Sequence, residues 1–507
     1  MSELSKRKAM LSLFSGFFLI WIGPIFKLVS GNNISNALWP LAIDTLEWSF
    51  ILRENREIYF AICIISLALI ISIGKINNKY LRMLGIGIIG SVLGFLSVFF
   101  LLDAAYLRGA FVLLPSIYGF IILNIITALN GIPKIDIKNK DWSLNNIGNL
   151  LLIVFAIYLI TPGIGPFLGI SPEPPAYPSH LGGDVEFETT IHQYPMPVEV
   201  EDIRGEIEGD IDFSIYLSLP SQSIGRIPLA IILHGFANPD FASYQDWIET
   251  LASKGMAVAF IQYPSDVMPE GWDTYVLEEK QGMSNHPYHV PRAIAIESAL
   301  DYLTTITPNY VDYSNLLVSG HSLGAGYALL VLDSALERGW ANQSLVIDLE
   351  APYARPVQSH LQVNFTGLPD NFIAHIAVSE DDMSVNDCFA VYHSEILGDK
   401  ALMLKIPSDR HGFPRLVASH YLQATQTHDS LADWGFYRRI ASQADWLNAN
   451  IDGNLEEITE AHQKLIDSNE NRFMGYWEDG TPVNEIKTWV NPLDSNEYEY
   501  CKTWIGN

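Results

Sequence analysis

The chain has 507 residues, 49% of them hydrophobic, with 30 Lys and Arg against 57 Asp and Glu, for a net charge of −27. The first 170 residues hold 13 of the basic and 8 of the acidic side chains and so carry +5, whereas the remainder, with 17 against 49, carries −32. An acidic surface on that scale argues against nucleic acid or anionic lipid headgroups as partners of the second part, and the asymmetry points to two parts working in different solvents.

In chain order, five stretches are long and apolar enough to cross a bilayer, which takes roughly 20 residues each: Met10–Val29, Ile58–Ile73, Met83–Leu102, Phe111–Leu129 and Ile147–Leu168. Ala37–Leu52 carries Asp44 and Glu47 and reads as an interfacial amphipathic helix, because charge at mid-membrane is expensive. Lys6, Arg7 and Lys8 precede the first stretch as in a signal peptide, but the four later apolar stretches and the lack of a small-residue cleavage site favour an anchor. Alternate loops hold nine Lys and Arg (Lys6, Arg7, Lys8, Lys75, Lys79, Arg82, Lys134, Lys138, Lys140) against four (Lys27, Arg53, Arg56, Arg108). The richer set is expected in the cytoplasm. Five crossings then put everything after residue 170 on the extracytoplasmic side, with the bilayer as the partner of residues 1–170. No acid–base cluster or internal repeat within these stretches suggests a transport path.

Residues 171–197 open on Ser171-Pro-Glu-Pro-Pro-Ala-Tyr-Pro, a Pro-rich linker that should be extended. Val198–Ile207 and Ile211–Leu219 alternate apolar and polar residues around Glu208-Gly209-Asp210 and predict an antiparallel hairpin. Short apolar runs at Leu229–Leu233, Met256–Ile261, Leu316–Ser319, Leu345–Leu349, Phe372–Val378 and Ala401–Ile406 suit buried parallel strands. Helical spacing falls between them at Phe241–Lys254, Pro291–Thr305 and Leu323–Arg338, and Leu431–Asn448 predicts a closing amphipathic helix. Strand alternating with helix over 198–450 means an α/β domain, a mostly parallel sheet covered on both faces. In such a sheet, sites form beyond the carboxyl ends of the strands. The extension 451–507 should hold a helix at Leu455–Ser468 and a hairpin at Met474–Val483.

The polar motifs fall at those strand ends. Gly320-His321-Ser322-Leu323-Gly324 follows one strand and opens a helix, the context in which a nucleophilic serine sits on a strained turn with glycines leaving room for it. Such a serine needs a base and the base an orienting acid, in chain order serine, acid, histidine. After Phe372–Val378 comes Ser379-Glu380-Asp381-Asp382, and after Ala401–Ile406 comes Ser408-Asp409-Arg410-His411-Gly412. His411 is the expected base, with His375, His420 and His428 the poorer candidates. Asp382 is the preferred acid, followed by Asp381, with Glu380 and Glu350 as further options. Backbone N–H groups of Phe236, in His234-Gly235-Phe236, and of Leu323 are the expected oxyanion donors.

Ile231-Ile-Leu-His-Gly-Phe236, Gly320-His-Ser-Leu-Gly324, Val378-Ser-Glu-Asp-Asp382, Asp409-Arg-His-Gly412 and Ala252-Ser-Lys-Gly-Met-Ala-Val-Ala-Phe260 resemble the α/β-hydrolase superfamily. The nearest likeness is to dienelactone hydrolases, cutinase-like esterases and platelet-activating-factor acetylhydrolase-like esterases. The resemblance spans about 198–450 and implies an eight-stranded, mostly parallel sheet, a covalent acyl-enzyme, an ester substrate, which for a membrane-tethered enzyme includes lipid esters, and no cofactor. The same site would serve acyl transfer or amide cleavage, and a non-catalytic binding or adhesion module is the competing class. Pro264–Val290, with Trp272, Tyr275, His286, Tyr288 and His289, is the expected cover; its histidines lack the spacing and partners of a metal site.

Three cysteines are too few for a disulfide framework, and Cys63, Cys388 and Cys501 form no Cys-x-x-Cys pair. On the extracytoplasmic side a Cys388–Cys501 bond is allowed. Asn342-Gln-Ser344 and Asn364-Phe-Thr366 fit the glycosylation pattern, a weak signal.

Overall fold

The computed structural model describes residues 6–30 and 78–102, a few positions between 119 and 158, and residues 170–505 except 198–199, 201–212, 223–224, 237, 266–289, 354–367, 383 and 425–428. The chain divides into two compact units, one of Met1–Pro174 with Asp409–Val417, the other of Pro175–Ser408 with Ala418–Asn507.

In the first unit, helices α1 (Lys6–Val29) and α2 (Lys79–Leu102) pack along each other. Glycines let the backbones touch: a Cβ on Gly16 would fall 1.8 Å from the carbonyl oxygen of Gly87, and one on Gly90 would fall 2.0 Å from that of Leu13. Hydrogen bonds span the seam, from Trp21 Nε1 to Ser97 Oγ (2.9 Å) and from Ser91 Oγ to the Gly16 carbonyl (3.1 Å). Close backbone approach and interhelical hydroxyl bonds are how helices associate where lipid removes the hydrophobic drive. Five crossings are expected from the sequence, but among the described residues one helix, Arg7–Val29, is long and apolar enough to cross a membrane or to serve as a signal sequence. Helix α2 contains the expected stretch Met83–Leu102. Ile58–Ile73 and Ala37–Leu52 lie outside the described residues, and Phe111–Leu129 and Ile147–Leu168 lie largely outside them.

The second unit is a mixed α/β structure built on one nine-stranded sheet. Its strands are β1 (Phe187–Gln193), β2 (Ser214–Pro220), β3 (Ile227–Leu233), β4 (Ala257–Ile261), β5 (Val311–His321), β6 (Ser344–Glu350), β7 (Phe372–Ser379), β8 (Ala401–Ile406) and β9 (Lys487–Trp489). They lie in the order β1-β2-β4-β3-β5-β6-β7-β8-β9. Pairing is parallel from β4 through β3 and β5 to β8, and antiparallel at β1–β2, β2–β4 and β8–β9. Strands β3, β4, β6 and β7 are buried along their whole length, as continuous runs of Val, Ile, Leu and Ala require of a sheet covered by helices. Two packed helix pairs supply cover: α3 (Gln245–Ser253) with α7 (Arg438–Asp452), and α4 (Val290–Ile306) with α5 (Leu323–Glu337). Helix α6 (Cys388–Leu397) packs on β7 and β8.

The structure differs from expectation at the sheet edges. Besides β4, β2 pairs antiparallel with β1, from the stretch read as linker, and Val198–Ile207 lies almost wholly outside the described residues. As an edge strand, β1 keeps most of Phe187-Glu-Thr-Thr-Ile-His-Gln193 exposed or half-exposed, so it lacks the apolar run that announces a buried strand. At the other edge β9, from the C-terminal extension, pairs Trp489 with Met403 and Lys487 with Lys405, giving nine strands instead of eight. The same extension is bonded to α6 through Cys388–Cys501 (S–S 2.00 Å, Cα–Cα 5.3 Å). Lys405 Nζ reinforces it by bridging Asp387 (3.0 Å) and Glu497 (3.3 Å). Helix α8 (Leu455–Gln463) packs on α7, and the predicted hairpin contracts to one bridge between Tyr476 and Pro482.

Candidate active site

Strand β5 runs without a break into helix α5, and Ser322 is the single residue at the turn, with φ 56° and ψ −118°. A non-glycine residue in that region is strained, so its surroundings must hold it there. The chain leaving β6 does so: Ser322 N–H donates to the Glu350 carbonyl (2.8 Å), and Tyr353 N–H donates to the Ser322 carbonyl (2.9 Å). The glycines of the motif are steric necessities. A Cβ on Gly320 would lie 2.5 Å from the Gly324 carbonyl carbon and oxygen, and one on Gly324 would lie 2.4 Å from the Leu233 and His234 carbonyl oxygens. Ser322 is 7% exposed. Leu323 opens the helix, so its N–H belongs to the electropositive first turn.

The loop after β3 runs against this turn. A Cβ on Gly235 would come 3.3 Å from the Ser322 Cβ and 3.0 Å from His321 Nδ1, so glycine permits this close approach without pushing either side chain aside. His234 anchors that loop from within. Its Nε2 accepts the Tyr263 N–H (3.1 Å), which leaves Nδ1–H to donate to the Gly235 carbonyl (2.8 Å), and the ring stacks on Tyr263. Burial pushes its pKa down to about 4, so it is a neutral structural imidazole.

Asp382 lies in the loop after β7. Its Oδ1 accepts the N–H groups of Ser384 (2.7 Å) and Val385 (3.0 Å), and its Oδ2 lies 2.6 Å from His420 Nδ1. Burial works to raise the pKa of this carboxyl, but His420 and the two N–H donors outweigh it and hold it below its ordinary value. The imidazole that meets the acid is therefore that of His420, where His411 is expected from the sequence. The reason lies in the path after β8. Asp409 and Leu416 exchange backbone hydrogen bonds (2.8 Å each), so 410–415, with His411, form the tip of a small hairpin that groups with the first unit. His411 N–H caps the Asp409 side chain (3.0 Å). The chain returns at Ala418, whose N–H donates to Ser408 Oγ (2.9 Å) and whose carbonyl accepts Asp381 N–H (2.9 Å). Two residues later His420 stands beside the acid loop. His321, the neighbour of Ser322, lies 2.8 Å from the His420 carbonyl through Nε2, with the two rings 4.7 Å apart.

Two of the other candidate acids, Glu380 and Glu350, are engaged elsewhere. Glu380 Oε2 accepts Ser408 N–H (2.8 Å). Glu350, fully buried, pairs with Arg439 and accepts from Gln423 Nε2 (2.5 Å). Arg439 Nε also reaches Asp348 (3.3 Å), which Gln443 Nε2 bonds in turn (2.9 Å). With two carboxylates around one guanidinium, burial raises the Glu350 pKa well above the carboxylate range; Arg439 opposes this and Asp348 adds to it. His375 is buried, Nε2–H donating to the Leu465 carbonyl (2.9 Å) and Nδ1 accepting from Gln443 (3.0 Å). The cover 266–289 and His428 lie outside the described residues.

No family model matches the chain, and no curated protein matches it in sequence. Among the described residues no group of three or more His, Cys, Asp or Glu is arranged to hold a metal ion.

Proposed function

We propose that the chain is a membrane-tethered serine hydrolase of carboxylic esters, with an α/β-hydrolase fold and a triad of Ser322, Asp382 and His420. The observation that carries this reading is the strained Ser322 turn beside a buried Asp382–His420 pair. The strand order and the loops at the carboxyl ends of β3, β5, β7 and β8 agree with it.

The chemistry follows from the residues. Asp382 holds His420 Nδ1–H, which leaves Nε2 as the basic nitrogen. His420 takes the Ser322 hydroxyl proton as Oγ attacks the ester carbonyl, and Asp382 stabilises the imidazolium that forms. The N–H groups of Leu323 and Phe236 receive the oxyanion. The imidazolium returns its proton to the leaving alcohol, and water, activated by the same base, releases the acyl group.

Membrane tethering rests on the apolar helix Arg7–Val29, preceded by Lys6 and begun by Arg7 and Lys8. Placement of the hydrolase unit on the extracytoplasmic side rests on the same basic cluster and on the Cys388–Cys501 bond, since disulfides persist in oxidising compartments. Labelling with a fluorophosphonate tests the activity. We expect wild type and His411→Ala to label at Ser322, and Ser322→Ala and His420→Ala to lose labelling. Labelling that survives His420→Ala and vanishes in His411→Ala overturns the assignment of the base, and absence of labelling in folded wild type overturns the function.

A further inference from the structure

His321 occupies the variable place of the serine motif, yet it is 2% exposed and bonded at both ring nitrogens. The direction of each bond is set by its neighbours. The His420 carbonyl facing Nε2 can only accept, so Nδ1 is the acceptor for the buried Tyr244 hydroxyl 3.2 Å away, and Tyr244 Oη in turn receives the Gly235 N–H (2.8 Å) and bonds the Asn238 side chain. With Nδ1 accepting, Nε2 carries the hydrogen and donates to the His420 carbonyl (2.8 Å). One relay therefore joins the loop after β3, the nucleophile's turn and the loop carrying the base.

We propose that His321 is a positioning residue that holds Gly235-Phe236 and the backbone of His420 in register with Ser322. The proposal rests on the reading of Ser322, Asp382 and His420 as the triad. Phe236 and His420 arrive from different strand ends, and neither loop belongs to the sheet. His321 ends β5 and adjoins Ser322 in the chain, so it is fixed to the reacting hydroxyl. A bond from this ring to the His420 carbonyl sets where the His420 backbone sits, while Asp382 sets the rotation of its ring. The Tyr244 arm sets the height of Gly235, next to the proposed oxyanion donor. Misplacement by about 1 Å at a reacting centre can cost on the order of 100-fold in rate. The relay also suits the charge that forms in the reaction. Burial, with His420 alongside, keeps the pKa of His321 at about 3, so it sets no second positive charge against the His420 imidazolium.

The test uses the full chain in detergent, with a p-nitrophenyl ester for turnover and a fluorophosphonate for the labelling rate of Ser322. We expect His321→Leu to lower kcat by about 100-fold, with KM within about twofold. His321→Gln, whose terminal amide reaches from near the Nε2 position to the His420 carbonyl, should recover about tenfold of that loss. Tyr244→Phe, which removes one oxygen and keeps the ring, should lower kcat by about tenfold, and it decides the matter if the leucine variant does not fold. Wild-type kcat in His321→Leu or Tyr244→Phe overturns the proposal, as does equal loss in the Leu and Gln variants with unchanged near-ultraviolet circular dichroism. If wild type labels at Ser322 and Ser322→Ala does not, such a result removes the role of His321 alone; if wild type does not label, the triad reading falls and the positioning role with it.

Discussion

Gly324→Ala puts the serine turn under a defined load. The new Cβ would sit 2.4 Å from the carbonyl oxygens of both Leu233 and His234 and 2.6 Å from the Leu233 carbonyl carbon, whereas ordinary contact begins at 3.4 Å. The first turn of α5 and the end of β3 must therefore separate by about 1 Å, and all three obstructing atoms are backbone. Strand β3 cannot retreat, because it is hydrogen-bonded to β4 on one side and β5 on the other. The helix moves instead, taking Ser322 and the Leu323 N–H with it. Overpacking of this kind costs about 3 kcal/mol at the upper end, and the better helix propensity of alanine returns about 1, leaving a loss of about 2 kcal/mol. For a unit of this size that is a fall in Tm of about 3 °C. The labelling rate of Ser322 should fall by about 100-fold. Thermal unfolding and fluorophosphonate labelling in detergent read the two effects, with Gly225→Ala, where nothing lies within 4 Å, as the control. A Gly324→Ala protein with the Tm and labelling rate of wild type would refute the steric account of the turn.

Three further substitutions separate structure from chemistry. Arg439→Met should destabilise by about 3–5 kcal/mol, because it leaves Asp348 and Glu350 buried without their cation. Glu350→Gln keeps the shape with less buried charge and should be close to neutral, so a thermal-shift comparison in which the glutamine variant is the worse of the two contradicts the reading of that cluster. Cys388→Ser opens a loop with a sequence separation of 113 and on chain-entropy grounds should cost about 5 kcal/mol. The loss should appear as a lowered Tm that reductant reproduces in wild type but not in the variant, and an unchanged Tm in both would show that the bond is not formed in solution.

The strained serine turn and the central strands were legible in the sequence because their requirements are local. A strained serine between a buried strand and a helix needs Gly320 and Gly324 within two residues, and continuous apolar runs such as Ala257–Ile261 have no stable home except a covered strand. Asp382 could be preferred for the same reason, since it follows the end of β7 by three residues. Other features carried no local signature. Strand β1 is an edge strand and shows no apolar run. His321 reads as a filler letter of its motif until Tyr244, Gly235 and His420 surround it. The pairing of Cys388 with Cys501 depends on the tail reaching the edge of the sheet.

The sequence by itself determined which serine is strained and which segments form the central strands of the sheet, since both follow from the sterics and hydrophobicity of adjacent residues. Only the tertiary structure decided which histidine meets the acid. His411 is nearer to the end of β8 along the chain, but it sits in the tip of the Asp409–Leu416 hairpin, and the bonds of Ala418 to Ser408 and Asp381 bring His420 to Asp382. Distance along a loop does not fix distance in space, because the loop's own hydrogen bonds choose where it returns.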